Sequence, residues 1–161
     1  MAVLICKVRD EHGWLGNMAP YPVEWNGKLF RTTEALFQSL RFQGNDAVVE
    51  VIRTEKSPMA AKFSAKKHKD QMKITPCGEQ DIENMQVCLR IKMEQHPELT
   101  EQLFETGDEQ IIEDCTKRKR GSGLFWGAAL TGDKWEGRNM LGRLWMGLRN
   151  ELHANQTMMV V

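Results

Sequence analysis

The most regular apolar pattern lies near the end of the chain, where Leu141, Leu144, Trp145, Leu148 and Leu152 recur at helical spacing and predict a helix from about Asn139 to His153. The residues after it, 155–161, read as a loose tail or a late strand. A second stripe of Ile82, Met85, Leu89 and Met93 predicts a long helix from about Gln80 to Gln95. A third, Leu36, Phe37 and Leu40, follows Thr32 and Thr33, either of which can cap a helix. Shorter helices are expected from about Asp46 to Arg53, from the Ser57-Pro58 start to about Lys67, and from Pro97 to near Thr106-Gly107. Residues 2–8 suit a strand, and Val23–Trp25 should pair with Leu29–Arg31 across Asn26-Gly27. Ile111 to Asp114 is ambiguous, and Lys117 to Gly137 reads as one long loop, a feature that is usually functional in a compact domain. The expected fold class is mainly α: an α+β arrangement with a small N-terminal β element, in a single domain over 1–161.

Composition narrows the classes of function. The 161 residues carry 22 Lys plus Arg against 22 Asp plus Glu, a balance that argues against a nucleic-acid coat or a membrane-surface protein and leaves room for a local patch. No run approaches the roughly 20 apolar residues of a membrane span. The N-terminal apolar stretch is too short and too soon charged for a signal peptide. Cys6, Cys77, Cys88 and Cys115 are scattered, without CxxC spacing and without His12, His68, His96 or His153 beside them. Free thiols in a reducing compartment are therefore expected, with no metal site and a cytoplasmic location.

Three regions carry residues suited to chemistry. Glu34, Gln38 and Arg41 fall at i, i+4 and i+7 on one helix, a carboxylate, an amide and a guanidinium in a row, with Glu34 in the first turn where the helix dipole favours negative charge. They could wall a polar site; periodicity alone favours a solvated helix face. Lys92 lies at the edge of the apolar stripe of the long helix, where desolvation would favour the neutral, nucleophilic amine. The more ordinary alternative is a packed stem with the ammonium in water. Phe125-Trp126-Gly127 and Trp135-Glu136-Gly137-Arg138-Asn139 interleave aromatics with glycines; they could hold a base and a phosphate, or form a loop pinned by two buried tryptophans. The basic runs Lys66–Lys69 and Lys117–Arg120 could meet phosphates, although most such runs are simply solvated.

These pieces occur in a telling order. Asn17, Gly27-Lys28-Leu29-Phe30, Thr33-Glu34-Ala35-Leu36-Phe37-Gln38, Arg41-Phe42, Ser57-Pro58-Met59-Ala60-Ala61, Leu89-Arg90-Ile91-Lys92-Met93 and Leu103 with Thr106-Gly107 come first. Ile112-Glu113, Phe125-Trp126-Gly127, Gly137 with Asn139, Leu141-Gly142 and Leu144-Trp145-Met146 with Arg149 follow. Each is weak alone, but together, from about residue 13 to 152, the chain resembles the NADAR family. The resemblance implies a mainly helical, YbiA-like fold and an N-glycosidase acting on a ribose with a 5′-phosphate. It implies no cofactor.

The resemblance also implies roles: Glu34, Lys92 and Glu113 as catalytic residues, and Asn17, Gln38, Arg41, Trp126, Gly127, Arg138, Asn139 and Gly142 as substrate-binding residues. Removal of ADP-ribose from guanine in DNA is the expected reaction, with ADP-ribosylated DNA as candidate partner. Hydrolysis of early riboflavin-pathway intermediates and a non-catalytic ADP-ribose or NAD-binding module are the alternatives. The chain departs from family habit in three places. Ala128-Ala129 follows Trp126-Gly127 where an Asp is common, Ala35 follows Glu34 where His is frequent, and Pro76-Cys77 stands near an expected Trp. Asp133 is a candidate substitute for the missing Asp.

Overall fold

The computed structural model describes residues 1–160. Its strands are β1 (Ala2–Ile5), β2 (Val23–Trp25), β3 (Lys28–Phe30), β4 (Gln110–Glu113), β5 (Ala129–Thr131) and β6 (Lys134–Glu136). Its helices are α1 (Thr33–Leu40), α2 (Asp46–Arg53), α3 (Pro58–Lys67), α4 (Glu79–Gln95), α5 (Glu98–Glu105), the single-turn α6 (Gly123–Trp126) and α7 (Met140–Val160). The mainly helical class expected from the sequence is therefore present. The chain divides into a central unit, Trp14–His96, and a terminal unit made of Met1–Gly13 and the chain from Pro97 onward.

In the central unit, caps set the helix starts. The side-chain oxygens of Thr32, Asn45 and Ser57 accept hydrogen bonds from the backbone N–H groups of Ala35, Val48 and Ala60, opening α1, α2 and α3, and Pro58 fills the first turn of α3. Asn26 and Gly27 have φ of 50° and 75°, the left-handed pair that a tight hairpin needs, so Trp25 pairs with Lys28. Strand β3 accordingly sits one residue earlier than expected. Helix α1 packs against α2, α3, α4 and the hairpin, and every one of its residues is buried. That burial overturns the solvated-face alternative for Glu34 and Gln38.

In the terminal unit, β1 and β4 pair in parallel, from Ala2 opposite Gln110 to Ile5 opposite Glu113. The ambiguous segment is thus a strand whose partner lies at the other end of the chain, beyond the reach of any local pattern. Helix α7 packs on β4, α5 and α6 around Trp145 and Ile111, both fully buried. The expected long loop holds α6 and an antiparallel hairpin of β5 and β6 turning at Gly132-Asp133. Residues 154–160 continue α7, because neither glycine nor proline interrupts it after His153. The expected tail or strand is therefore helix; Val161 lies outside the described residues. No helix among the described residues is long and apolar enough to cross a membrane.

Candidate active site

Helices α1 and α4 face each other with polar stripes. On α1 and at its C-cap, Glu34, Gln38 and Arg41 are 8%, 4% and 9% exposed. Gln38 Nε2 donates to Glu34 Oε1 at 3.0 Å, and Arg41 Nη1 donates to Gln38 Oε1 at 3.3 Å. The guanidinium then forks onto fully buried Asp81, with Nε to Oδ1 at 2.9 Å and Nη2 to Oδ2 at 2.7 Å. Asp81 lies in the first turn of α4, where the dipole favours a carboxylate, and accepts a further bond from Cys77 N at 2.8 Å. Cation and anion are thus buried together, as a charge inside a protein must be.

Glu34 is held differently. Burial raises its pKa above 4.5; the Gln38 bond and the positive charges of Lys62 and Arg41 oppose that rise, and Asp81 adds to it. Fully buried Cys88 shares this neighbourhood, its thiol pushed well above its usual value by burial and by the carboxylates of Glu34 and Asp81. It is a packed thiol, without the cationic surroundings that activate a cysteine.

Lys92 is 0% exposed, which overturns the snorkelling alternative. Its Nζ donates to the carbonyl oxygens of Trp14 and, at 3.1 Å, Gly16, and lies 5.1 Å from the centre of the Tyr21 ring. Burial lowers its pKa from 10.5 to about 7. The same loop reaches α1: Asn17 O accepts from Glu34 N at 3.0 Å, and Asn17 Oδ1 accepts from Thr33 Oγ1 at 3.0 Å. Asn17 Nδ2 donates to Met85 Sδ on α4. The segment Trp14–Asn17 therefore ties the ammonium of Lys92 and the backbone of Glu34 to one short stretch of chain.

The remaining expected site residues belong to the terminal unit. Glu113 ends β4, half-buried, and its N–H donates to Asn139 Oδ1 at 2.9 Å. Asn139 Nδ2 donates to Ile111 O at 2.8 Å, so this amide clamps the backbone of β4. A Cβ on Gly142 would stand 2.0 Å from Ile111 O, and one on Gly127 would stand 2.5 Å from Glu113 O. Both glycines are thus required by close backbone approach. Buried Trp126 meets Phe125 edge to face with ring centres 4.9 Å apart, and exposed Arg138 lies 4.8 Å over the Phe125 ring. Trp135 is only half-buried, and Asp133 is exposed at the β5–β6 turn.

Asn17, Glu34, Gln38, Arg41 and Lys92 are therefore organised within the central unit; Glu113, Trp126, Gly127, Arg138, Asn139 and Gly142 are organised within the terminal one. Asp81 and Cys88 escaped sequence reasoning. Their signal was the spacing from Asp81 through Met85 and Cys88 to Lys92, which places polar residues on the same inward stripe as apolar ones.

The mainly helical fold defines a class of protein that known chains share. The NADAR domain model matches residues 5–153, and the chain belongs to the NADAR family. N-glycosidase YbiA of Escherichia coli K12 is 32% identical over 144 residues, covering 89% of this chain and 83% of that one. The riboflavin biosynthesis protein VVA0006 of Vibrio vulnificus is 29% identical over 146 residues, 91% of this chain and 37% of the relative. The NMR structure of E. coli YbiA superposes with a TM-score of 0.77 at 29% identity, over 98% of this chain and 89% of that one. The chain has the YbiA-like fold and is an enzyme of the N-glycosidase class, a hydrolase of glycosyl bonds.

Proposed function

We propose that this enzyme hydrolyses the N-glycosidic bond of an ADP-ribosylated nucleobase, removing ADP-ribose from guanine in DNA. The observation that carries the catalytic part is the desolvated Lys92 amine, with a pKa of about 7, in the same unit as the buried Glu34 carboxyl. At neutral pH roughly half of such an amine is unprotonated and able to attack carbon. Breaking the bond from C1 to the base leaves its electron pair on the base nitrogen, which takes up a proton, and builds positive charge on the ribose ring. Glu34 as a carboxylate stabilises that charge or moves a proton. The Lys92 nitrogen bonds to C1 and gives up a proton, the sugar ring opens to a Schiff base, and water then cleaves it, restoring the amine and releasing ADP-ribose with a free anomeric hydroxyl.

A large anionic substrate is favoured by the exposed basic run Lys117–Arg120 and by exposed Arg138 over Phe125. A second reading, hydrolysis of riboflavin-pathway intermediates, is favoured by the likeness to VVA0006 along 91% of the chain. The test offers an oligonucleotide carrying ADP-ribosylguanine, and separately the riboflavin intermediates, to parent, Glu34→Gln and Lys92→Ala enzymes. Release of ADP-ribose, lost in both variants, together with a borohydride-trapped mass adduct on Lys92, is expected. Turnover of the riboflavin intermediates alone would install the second reading. Tight ADP-ribose binding without any turnover would show a binding module. Full activity of Lys92→Ala would end the Schiff-base step and leave the hydrolase standing.

A further inference from the structure

The buried chain from α4 to Glu34 has a direction, and the direction has a chemical cause. Arginine carries only donors, so the Gln38 oxygen must face Arg41 at 3.3 Å. That orientation leaves the Gln38 NH2 facing Glu34 Oε1 at 3.0 Å. Were the amide turned over, its oxygen would meet the carboxylate and its NH2 would meet the guanidinium, two repulsive contacts in place of two bonds. Arg41 is itself kept in place by two bonds to Asp81, and Asp81 by the N–H of Cys77. Cys77 has a left-handed φ of 63°, which turns the chain into α4.

We propose that Asp81 and Arg41 are positioning residues that lock Gln38 with its NH2 toward Glu34, so that the ionisation of Glu34 is governed from the start of α4. The proposal rests on the reading of Glu34 as a catalytic group and adds the machinery that tunes it. Asp81 and Arg41 reach Glu34 through the Gln38 amide rather than by hydrogen bonds of their own. A donor fixed on Glu34 favours the carboxylate and offsets part of the burial that favours the acid. Other groups facing Glu34 are Lys62 from α3 and Asp81 and Cys88 from α4, with Arg41 on its own helix. Asp81 taken alone would act on Glu34 by charge with the opposite sign, which makes direct charge and the relay separable.

The test titrates Glu34 by carboxyl carbon NMR in protein labelled at glutamate Cδ, assigned with Glu34→Gln. It compares the parent with Gln38→Met, with Asp81→Asn and with the charge-neutral pair Arg41→Met/Asp81→Asn. The pair removes one cation and one anion and leaves an oxygen for Cys77 N; loss of a buried ion pair together is commonly tolerated. Gln38→Met is expected to raise the proton affinity of Glu34 about tenfold. Asp81→Asn alone is expected to raise it as well, because the amide is no longer held, whereas loss of the Asp81 charge by itself would lower it; the pair is expected to raise it too. In active protein the limb of the kcat/KM profile belonging to Glu34 should shift with it, and kcat should fall more than KM changes. An unmoved Glu34 in Gln38→Met, or an unmoved or weakened proton affinity in Asp81→Asn, overturns the relay. A purely structural role would lower the melting temperature of Asp81→Asn and leave the titration unmoved or shifted down by the lost charge. Because the titration needs no substrate, failure of the proposed reaction would show as absent turnover in the parent, with the NMR result intact.

Discussion

Along the contact of α1 and α4, buried side chains bond mainly to other side chains; around β4 and the start of α7, a buried side chain bonds to backbone. The first region carries Glu34, Gln38, Arg41 and Asp81 in a row, with two of its members charged and one carboxyl desolvated. The second uses the Asn139 amide to bridge Ile111 and Glu113, and a glycine at 142 to let the helix approach the strand. A desolvated carboxyl and a lysine at a pKa of about 7 are unfavourable to stability, and such tuning is what general acid–base and nucleophilic chemistry require. A satisfied amide clamp and a close-packed glycine favour stability and leave little free for chemistry. Two polar clusters of similar look in sequence thus act on stability in opposite directions.

The contrast breaks most visibly under substitution of the first region. Glu34→Gln and Lys92→Ala are each expected to lower kcat by about 10²–10⁴-fold, with far-ultraviolet circular dichroism unchanged. Loss of secondary structure in either variant would place these residues with the second region instead.

In the second region the effect should fall on folding. Gly142→Ala is expected to destabilise by about 3 kcal/mol or more, because its Cβ meets a backbone oxygen at 2.0 Å. Gly147→Ala, on the same helix with nothing within 4 Å of the added Cβ, should stabilise by about 0.5–1 kcal/mol. Urea unfolding of both variants reads the pair. Equal midpoints would remove the close approach as the reason for Gly142.

The pH dependence of stability sharpens the same contrast. The folded chain holds the Glu34 proton more tightly than the unfolded chain, so this group's stabilising contribution is complete below about pH 4.5 and is lost as pH rises through the folded value. Glu34→Gln should therefore melt higher than the parent at pH 8, by about 2–4 °C, and lose that advantage toward pH 4. Lys92 runs the other way. Its folded pKa of about 7 lies below 10.5, so burial of its charge costs most below pH 7 and is relieved as pH rises toward 10.5. Across that window the parent should gain on Lys92→Met by on the order of 5 kcal/mol. A pH-independent difference in thermal melts would show that neither group is desolvated.

The smallest effect belongs to the surface. Arg138→Ala should change stability by less than about 0.5 kcal/mol. With an ADP-ribosylated oligonucleotide it should raise KM and lower the salt slope of log kcat/KM by about 1. An unchanged slope would take Arg138 out of any phosphate contact.

Much of the fold was legible because its signals are local. Thr32, Asn45 and Ser57 accept backbone bonds three residues on, and Asn26-Gly27 turns a hairpin by its own backbone preference. The β1–β4 pairing was illegible because its partners lie far apart along the chain, and β5 and β6 were hidden because strands of three residues carry almost no period. Glu34, Gln38 and Arg41 could be seen to share a stripe. Their environment could not be seen, since the same spacing serves a wet face and a buried one.

By itself the sequence determined where the main helices start, which residues share a helix face, and the family to which the chain belongs. Only the tertiary structure decided that α1 is surrounded on all sides, that Lys92 is fully buried, and that Asp81 holds Arg41. The physical reason is that spacing is a property of a few neighbouring residues, whereas desolvation is a property of everything packed around them. The ionisation of Glu34 and Lys92 follows from that desolvation, and so does whatever chemistry they perform.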